Sequence, residues 1–212
     1  MTERPAILAG LIRVALLAAV VTGVLFGRWS LVFVGLAAFT LTLLPQYFAY
    51  WMGVRLPRSF LSGIVFFIFA TIFLGEAFDF YERYWWWDIA LHFGSAVSFG
   101  LFGFLFIFML FEGDRYAAPP WAVAFLSFCV AITVGALWEI FEFGMDQIFG
   151  LNMQKSGLID TMYDLIMDTV GGALGACAGY LYLKGKQMGG LGGAIEEFIR
   201  LNRKFFGKIR DR

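Results

Sequence analysis

Ten of the sixteen acidic residues fall at the ends of four hydrophobic stretches: Glu76, Asp79 and Glu82; Asp88; Glu139, Glu142 and Asp146; and Asp160, Asp164 and Asp168. The one histidine of the chain, His92, follows Asp88 by a single helical turn. Carboxylates inside a membrane are costly and mark functional sites by default. An oxygen-rich set with one imidazole suits a hard or borderline divalent ion: Mg, Mn or Ca, with Zn or Fe at the softer limit. An imidazole beside a carboxylate also suits general acid–base chemistry.

An α-helix turns about 100° per residue, so positions three or four apart share a face. Glu139, Glu142 and Asp146 then lie within about 60° of arc, and Asp160, Asp164 and Asp168 within about 80°. Asp88 with His92, and Glu76 with Asp79, make one-turn pairs. Like charges at these spacings repel, and in low dielectric they cannot all stay ionised and unpaired. Arg83 and Lys155 are too few to neutralise ten acids, so protonation or a bound cation must balance part of the set. The expected metal ligands are Glu139, Glu142, Asp164 and Asp168, with His92, oriented by Asp88, as general acid/base; Asp160, Asp146 and Glu76 are further members. The set lacks the Cys/His spacing of a structural zinc site. It also has Glu139-x-x-Glu142 where a di-iron bundle needs Glu-x-x-His on two helices. The plainer alternatives are helix caps for Asp88 and Asp160, water-facing interfacial charges for Glu76, Asp79, Glu82 and Asp146, and a hydrogen-bonded core histidine for His92.

Hydrophobic helices must position these groups. Of 212 residues, 60% are hydrophobic and 15% charged, and the mean hydropathy is +0.77, outside the range of ordinary soluble domains. About 20 apolar residues cross a bilayer core as a helix. Six such spans are expected, Ala6–Phe26, Trp29–Met52, Ser59–Phe80, Asp88–Phe111, Pro120 to about Phe143, and Asp160–Leu183, giving an all-α, polytopic integral membrane helical bundle. Residues 1–183 form this six-span transmembrane domain, and residues 184–212 a basic cytoplasmic tail, either an amphipathic helix suited to an anionic leaflet or a solvated basic tail that fixes topology. Arg13 interrupts the first span, is expected to snorkel, and argues against a cleavable signal.

With the N-terminus inside, thirteen Lys and Arg lie on the cytoplasmic side and three (Arg28, Arg83, Lys155) outside, so both termini are expected in the cytoplasm. The acidic ends then face the extracytoplasmic side, with Tyr84 and Trp85–Trp87 at that interface and the loop from Gln147 to Ile159 over the site. Gly171, Gly175 and Gly179 recur every fourth residue and allow a second helix to approach, as do Gly94, Gly100 and Gly103. Cys129 and Cys177 sit within spans and read as packing residues.

Three segments carry a resemblance: Trp87-Asp88-Ile89-Ala90-Leu91-His92-Phe93, Leu137-Trp138-Glu139-Ile140-Phe141-Glu142-Phe143, and Asp160-Thr161-Met162-Tyr163-Asp164-Leu165-Ile166-Met167-Asp168. Together they resemble the YjdF-like family of bacterial inner-membrane proteins over the third to sixth spans. That resemblance implies a multi-pass topology and a bacterial inner (cytoplasmic) membrane, and no reaction. A looser resemblance is to VanZ-like membrane proteins, through Asp88 to Phe93, Glu139, and the Asp164, Asp168 and Gly171 span. Glu142 and Asp168 stand where that pattern has Gln and Asn.

Three functions fit these residues. One is a divalent-metal-dependent enzyme or binding site acting on a lipid-linked or envelope substrate. The second is a proton- or cation-coupled transporter, and the third a non-catalytic scaffold. The acids are confined to one side, and the first two spans carry none, which favours the first over transport. Interhelical hydrogen bonds are worth about 0.6 to 2 kcal/mol, and ten acids exceed what glue requires. Membrane lipids are the expected partners, with no organic cofactor and no nucleic acid. Oligomeric state is open.

Overall fold

The computed structural model describes residues 7–186 and 189–209. Ala6 at the start of the first expected span, Arg4 of the charge count, and residues 187–188 and 210–212 of the tail lie outside them. The described residues form helices α1 (Ile7–Leu25), α2 (Trp29–Trp51), α3 (Arg58–Ile68), α4 (Phe80–Arg83), α5 (Trp87–Leu110), α6 (Pro120–Phe149), α7 (Leu158–Leu183) and α8 (Gly189–Leu201), with a π-helical segment at Phe69–Ala77 and a 3-10 turn at Arg203–Phe205. The protein is all-α and polytopic. Five stretches are long and apolar enough to cross a membrane: α1, α2, α3 with the π segment (Arg58–Ala77), α5 and α6. The sixth expected span forms α7, long enough at 26 residues. Its three aspartates and four glycines keep it below the apolarity of the other five.

The chain divides into two compact units, Met1–Trp87 and Asp88–Arg212. In the first, Ala9, Ile12, Leu16, Ala38, Leu61, Val65 and Phe73 form a buried core. Small residues let α1 and α2 approach: a Cβ on Gly35 would stand 2.9 Å from Val20 Cγ2. Arg13 does not snorkel freely. It clasps α2, donating from Nε to Thr42 Oγ1 at 3.2 Å and from Nη2 to Thr42 O at 2.6 Å and Gln46 Oε1 at 3.0 Å. Pro45 lies inside α2 at this level and removes the N–H that would serve Leu41 O, while the guanidinium bonds the next carbonyl, that of Thr42. Arg13→Met is therefore expected to lower the melting temperature in detergent, by the equivalent of about 1–3 kcal/mol. Cation content should not change.

The third expected span continues as a π-helix from Phe69. Thr71 Oγ1 donates back to Phe67 O at 2.9 Å. Wider turns break the 100° assumption that put Glu76 and Asp79 on one face. Asp79 instead leaves the helix at φ 56 and pairs with Arg83 at 3.8 Å.

In the second unit, α5, α6, α7 and α8 pack together. The tail is not a free amphipathic helix: Ile195, Phe198 and Ile199 of α8 are buried, with Phe206 fully so. Phe206 meets Phe108 at 5.7 Å and Phe198 at 6.3 Å between ring centroids. Burying each such side chain is worth about 1.5–3 kcal/mol, which is why the apolar face stays on the protein.

Candidate functional site

α5 carries Asp88 and His92 in its first turns, α6 carries Glu139, Glu142 and Asp146 toward its end, and α7 carries Asp160, Asp164 and Asp168 in its first half. Missing side chains bring these elements together. A Cβ on Gly171 or Gly175 would run into the carbonyl oxygens of Phe93 and Val97, and one on Gly100 would lie 2.7 Å from Gly172 O. Gly103 meets Ser127 O at 3.0 Å in the same sense, whereas Gly94 has nothing within 4 Å and takes no part. Gly135 is the contact that spacing did not single out: a Cβ there would collide with the Asp168 carboxylate. It lies one turn before Glu139 on α6, and that position was the available signal.

His92 is buried among carboxylates from all three helices. Its Nδ1 lies 3.4 Å from Asp168 Oδ1 and 3.5 Å from Oδ2. Its Nε2 lies 3.8 Å from Asp88 Oδ1 and 3.8 Å from Glu139 Oε1. One edge of the ring therefore faces a single orienting carboxylate, and the other opens toward two more. Asp88, His92 and Asp164 can each offer one ligand atom, all within 4.8 Å of one another. Donors on opposite sides of an ion are separated by twice the bond length, about 4.2 Å for Zn or Mg and about 4.6–5.2 Å for Ca. A spread of up to 4.8 Å reaches into the calcium range and is wider than Zn or Mg allows unless the three groups draw closer.

Glu139, Glu142, Asp164 and Asp168 are between 1% and 6% exposed. Both oxygens of Glu139, Glu142 Oε2, Asp164 Oδ2 and the Oδ2 of half-buried Asp160 have no hydrogen-bond partner. Thr161 stands beside Glu139; its hydroxyl accepts from Gln154 Nε2 at 2.6 Å, and neither Glu139 oxygen has it as a hydrogen-bond partner. Glu142 Oε1 accepts from Trp138 Nε1 at 2.9 Å. Trp138 was not anticipated as part of the site, although its one-turn spacing to Glu142 could have shown it. Buried acceptors without donors are costly, so the cluster calls for protons or a cation. Between Glu139 and Asp168 the chain has one basic residue, Lys155.

Other expected members have different settings. α6 runs past Phe143 to Phe149, where Gly150 ends it at φ 66, so the connection shortens to residues 150–157. Asp146 ties down this loop, accepting from the backbone N–H of Met153 at 2.7 Å and of Gln154 at 2.9 Å. Asp146→Ala is expected to destabilise by about 1–3 kcal/mol, and faster amide exchange confined to residues 150–157 would report it. Neither Asp88 nor Asp160 is an N-cap, since Trp87 and Gly157 precede them at or before their helix starts. Glu76 belongs to the first unit, where it is exposed on the π segment. Asp79 and Glu82 are exposed there as well.

A family described as "Predicted membrane protein (DUF2238)" matches residues 6–185. An "Uncharacterized protein" of Thermotoga maritima is 31% identical over 141 residues, 59% of this chain and 70% of its own length. No solved structure matches.

Proposed function

The chain belongs to the DUF2238 family of predicted membrane proteins, and from that premise we propose that it binds a divalent cation within the membrane at Asp88, His92 and Asp164, and acts there on a lipid-linked or envelope substrate. Within the family its motifs read as YjdF-like, and a bacterial inner membrane with both termini cytoplasmic fits the distribution of Lys and Arg. The looser VanZ-like likeness, with Glu142 and Asp168 in place of Gln and Asn, leaves this chain the more acidic site.

The observation that carries the reading is the set of buried carboxylate oxygens without donors around one imidazole. Asp168 takes the role of orienting carboxylate: a metal-bound histidine ordinarily donates its other N–H to such a group, and Nδ1 faces Asp168. Nε2 is then the nitrogen directed at the cation, in reach of Asp88 and Glu139. Glu142, fixed through Oε1 by Trp138, holds Oε2 unpartnered as a reserve acceptor. Asp88, with its side chain 23% exposed, is the ligand nearest to an entering substrate. A bound divalent ion would polarise a phosphoryl or carbonyl oxygen, or activate water. Glu139 is the adjacent carboxylate able to accept the proton released.

The test is the metal content of detergent-purified protein by mass spectrometry after incubation with Mg, Mn, Ca and Zn. Wild type is expected to retain one of them stoichiometrically after washing, and His92→Gln to retain far less, taking the ion up only at saturating concentration. A folded wild type that binds none of the four would overturn the reading.

A further inference from the structure

The far end of α7 presents a second polar site, independent of the carboxylates. Asp164 and Tyr182 lie eighteen residues apart on one helix, about 27 Å at 1.5 Å per residue. Tyr182, Glu196, Ile199, Arg200, Arg203 and Ile209 line a cavity of about 410 Å³. The burial of α8 explains why these residues converge. Ile195, Phe198, Ile199 and Phe206 are fixed against the protein, and Asn202 is buried with Nδ2 donating to Phe198 O at 2.8 Å. Glu196 and Arg200 share the opposite face of α8 one turn apart, and Arg203 follows in the 3-10 turn beyond its end. The closing strap is held too: Lys208 N donates to Glu112 O at 2.9 Å and its Nζ pairs with Glu112 Oε2 at 3.5 Å. Arg203 Nη2 donates to Ile209 O at 3.1 Å across the cavity wall.

The lining divides chemically. Arg200 and Arg203 outnumber the single acid, Glu196, while Ile199, Ile209 and the Tyr182 ring supply apolar surface. Arg115 stacks over Tyr182 at 4.9 Å and Lys184 over Tyr180 at 5.8 Å. Arg115, stacked on the lining residue Tyr182, adds positive charge beside the cavity. Tyrosines and basic residues at helix ends mark the level of lipid headgroups, and basic pockets at that level hold anionic headgroups. A free anion would use only the arginines. An amphiphile uses both halves of the lining.

We infer that this cavity binds the headgroup of an anionic phospholipid, with its phosphodiester on Arg200 and Arg203 and its glycerol carbons against Ile199, Ile209 and Tyr182.

The full chain would be reconstituted in phosphatidylcholine membranes containing phosphatidylglycerol, then extracted, and its retained lipid measured by native mass spectrometry. Wild type is expected to keep phosphatidylglycerol in preference to phosphatidylcholine. The double variant Arg200→Ala/Arg203→Ala should lose that preference by about 30-fold, at about 1 kcal/mol for each basic residue near a lipid surface. Both side chains are exposed, so the buried face of α8 survives, and an unchanged melting temperature verifies it. Should that variant melt early, Glu196→Gln decides: it removes the acid from the cavity and should raise retention. Equal retention of the two lipids, or no response to either variant, would overturn the inference. Displacement of the lipid by millimolar inorganic phosphate would overturn it too, by showing a simple anion site.

Discussion

Asp164→Asn is expected to abolish cation binding while leaving the metal-free protein as stable as wild type or more so. The two effects have opposite signs because the same carboxylate is a ligand in one state and an unbalanced charge in the other. Asp164 is 1% exposed, and its Oδ2 has no donor. With a cation present, it is one of three grouped ligands. Without one, it is a further carboxylate crowded around His92, and the amide removes charge while keeping shape. A cation present at about 100 times its dissociation constant stabilises the folded state by about 2.7 kcal/mol. Wild type should thus show a melting temperature that rises with added metal, and Asp164→Asn a flat one. Asp168→Asn should be intermediate, since loss of an orienting carboxylate costs about 10- to 100-fold in metal affinity. A scaffold role predicts neither pattern: both amides would melt like wild type with and without metal. Thermal scans across a metal titration separate the accounts.

Gly175→Leu is expected to prevent folding of the second unit, the largest stability effect of any single change considered. A Cβ at this position would collide with Val97 O and stand 2.9 Å from Leu101 N. Both are backbone atoms of α5 and cannot rotate away. The helices would have to separate, losing the packing that drives association in lipid and pulling Asp164 and Asp168 from His92. A cost above about 4 kcal/mol is the scale of such disruption. Gly94→Ala and Gly144→Ala are the controls, because nothing lies within 4 Å of either added Cβ. Both should express and melt close to wild type. Recovery of folded, monodisperse protein from membranes would measure all three.

Much of this arrangement was legible in the amino-acid order. Apolar runs of membrane length located the helices, and three- and four-residue spacing placed the acids of α6 and α7 on single faces. The glycine series on α7 foretold the close approach to α5, because a four-residue repeat of missing side chains has few other uses in a membrane helix. Gly94 shows the limit of the same argument: a glycine marks where an approach can occur, and the neighbour's position decides whether it does.

Other features depended on contacts between elements. Hydropathy does not distinguish an α- from a π-helical turn, so the segment from Phe69 to Ala77 and the departure of Asp79 were hidden. The clasp of Arg13 on Thr42 and Gln46 joins positions 29 and 33 residues apart, beyond any helical spacing. The roles within the carboxylate set also needed three dimensions. Asp146 and Glu142 follow the same periodicity, yet one is saturated by loop amides and the other keeps a buried oxygen unpartnered.

The central claim is a cation held by the imidazole of His92 together with Asp88 and Asp164. X-ray absorption at the metal edge of Zn- or Mn-loaded protein tests it most directly. The predicted spectrum has a first shell of nitrogen and oxygen at about 2.0–2.2 Å, with the outer-shell scattering of a single imidazole that disappears in His92→Gln. A loaded protein whose spectrum contains only an oxygen shell, unchanged by His92→Gln, would contradict it.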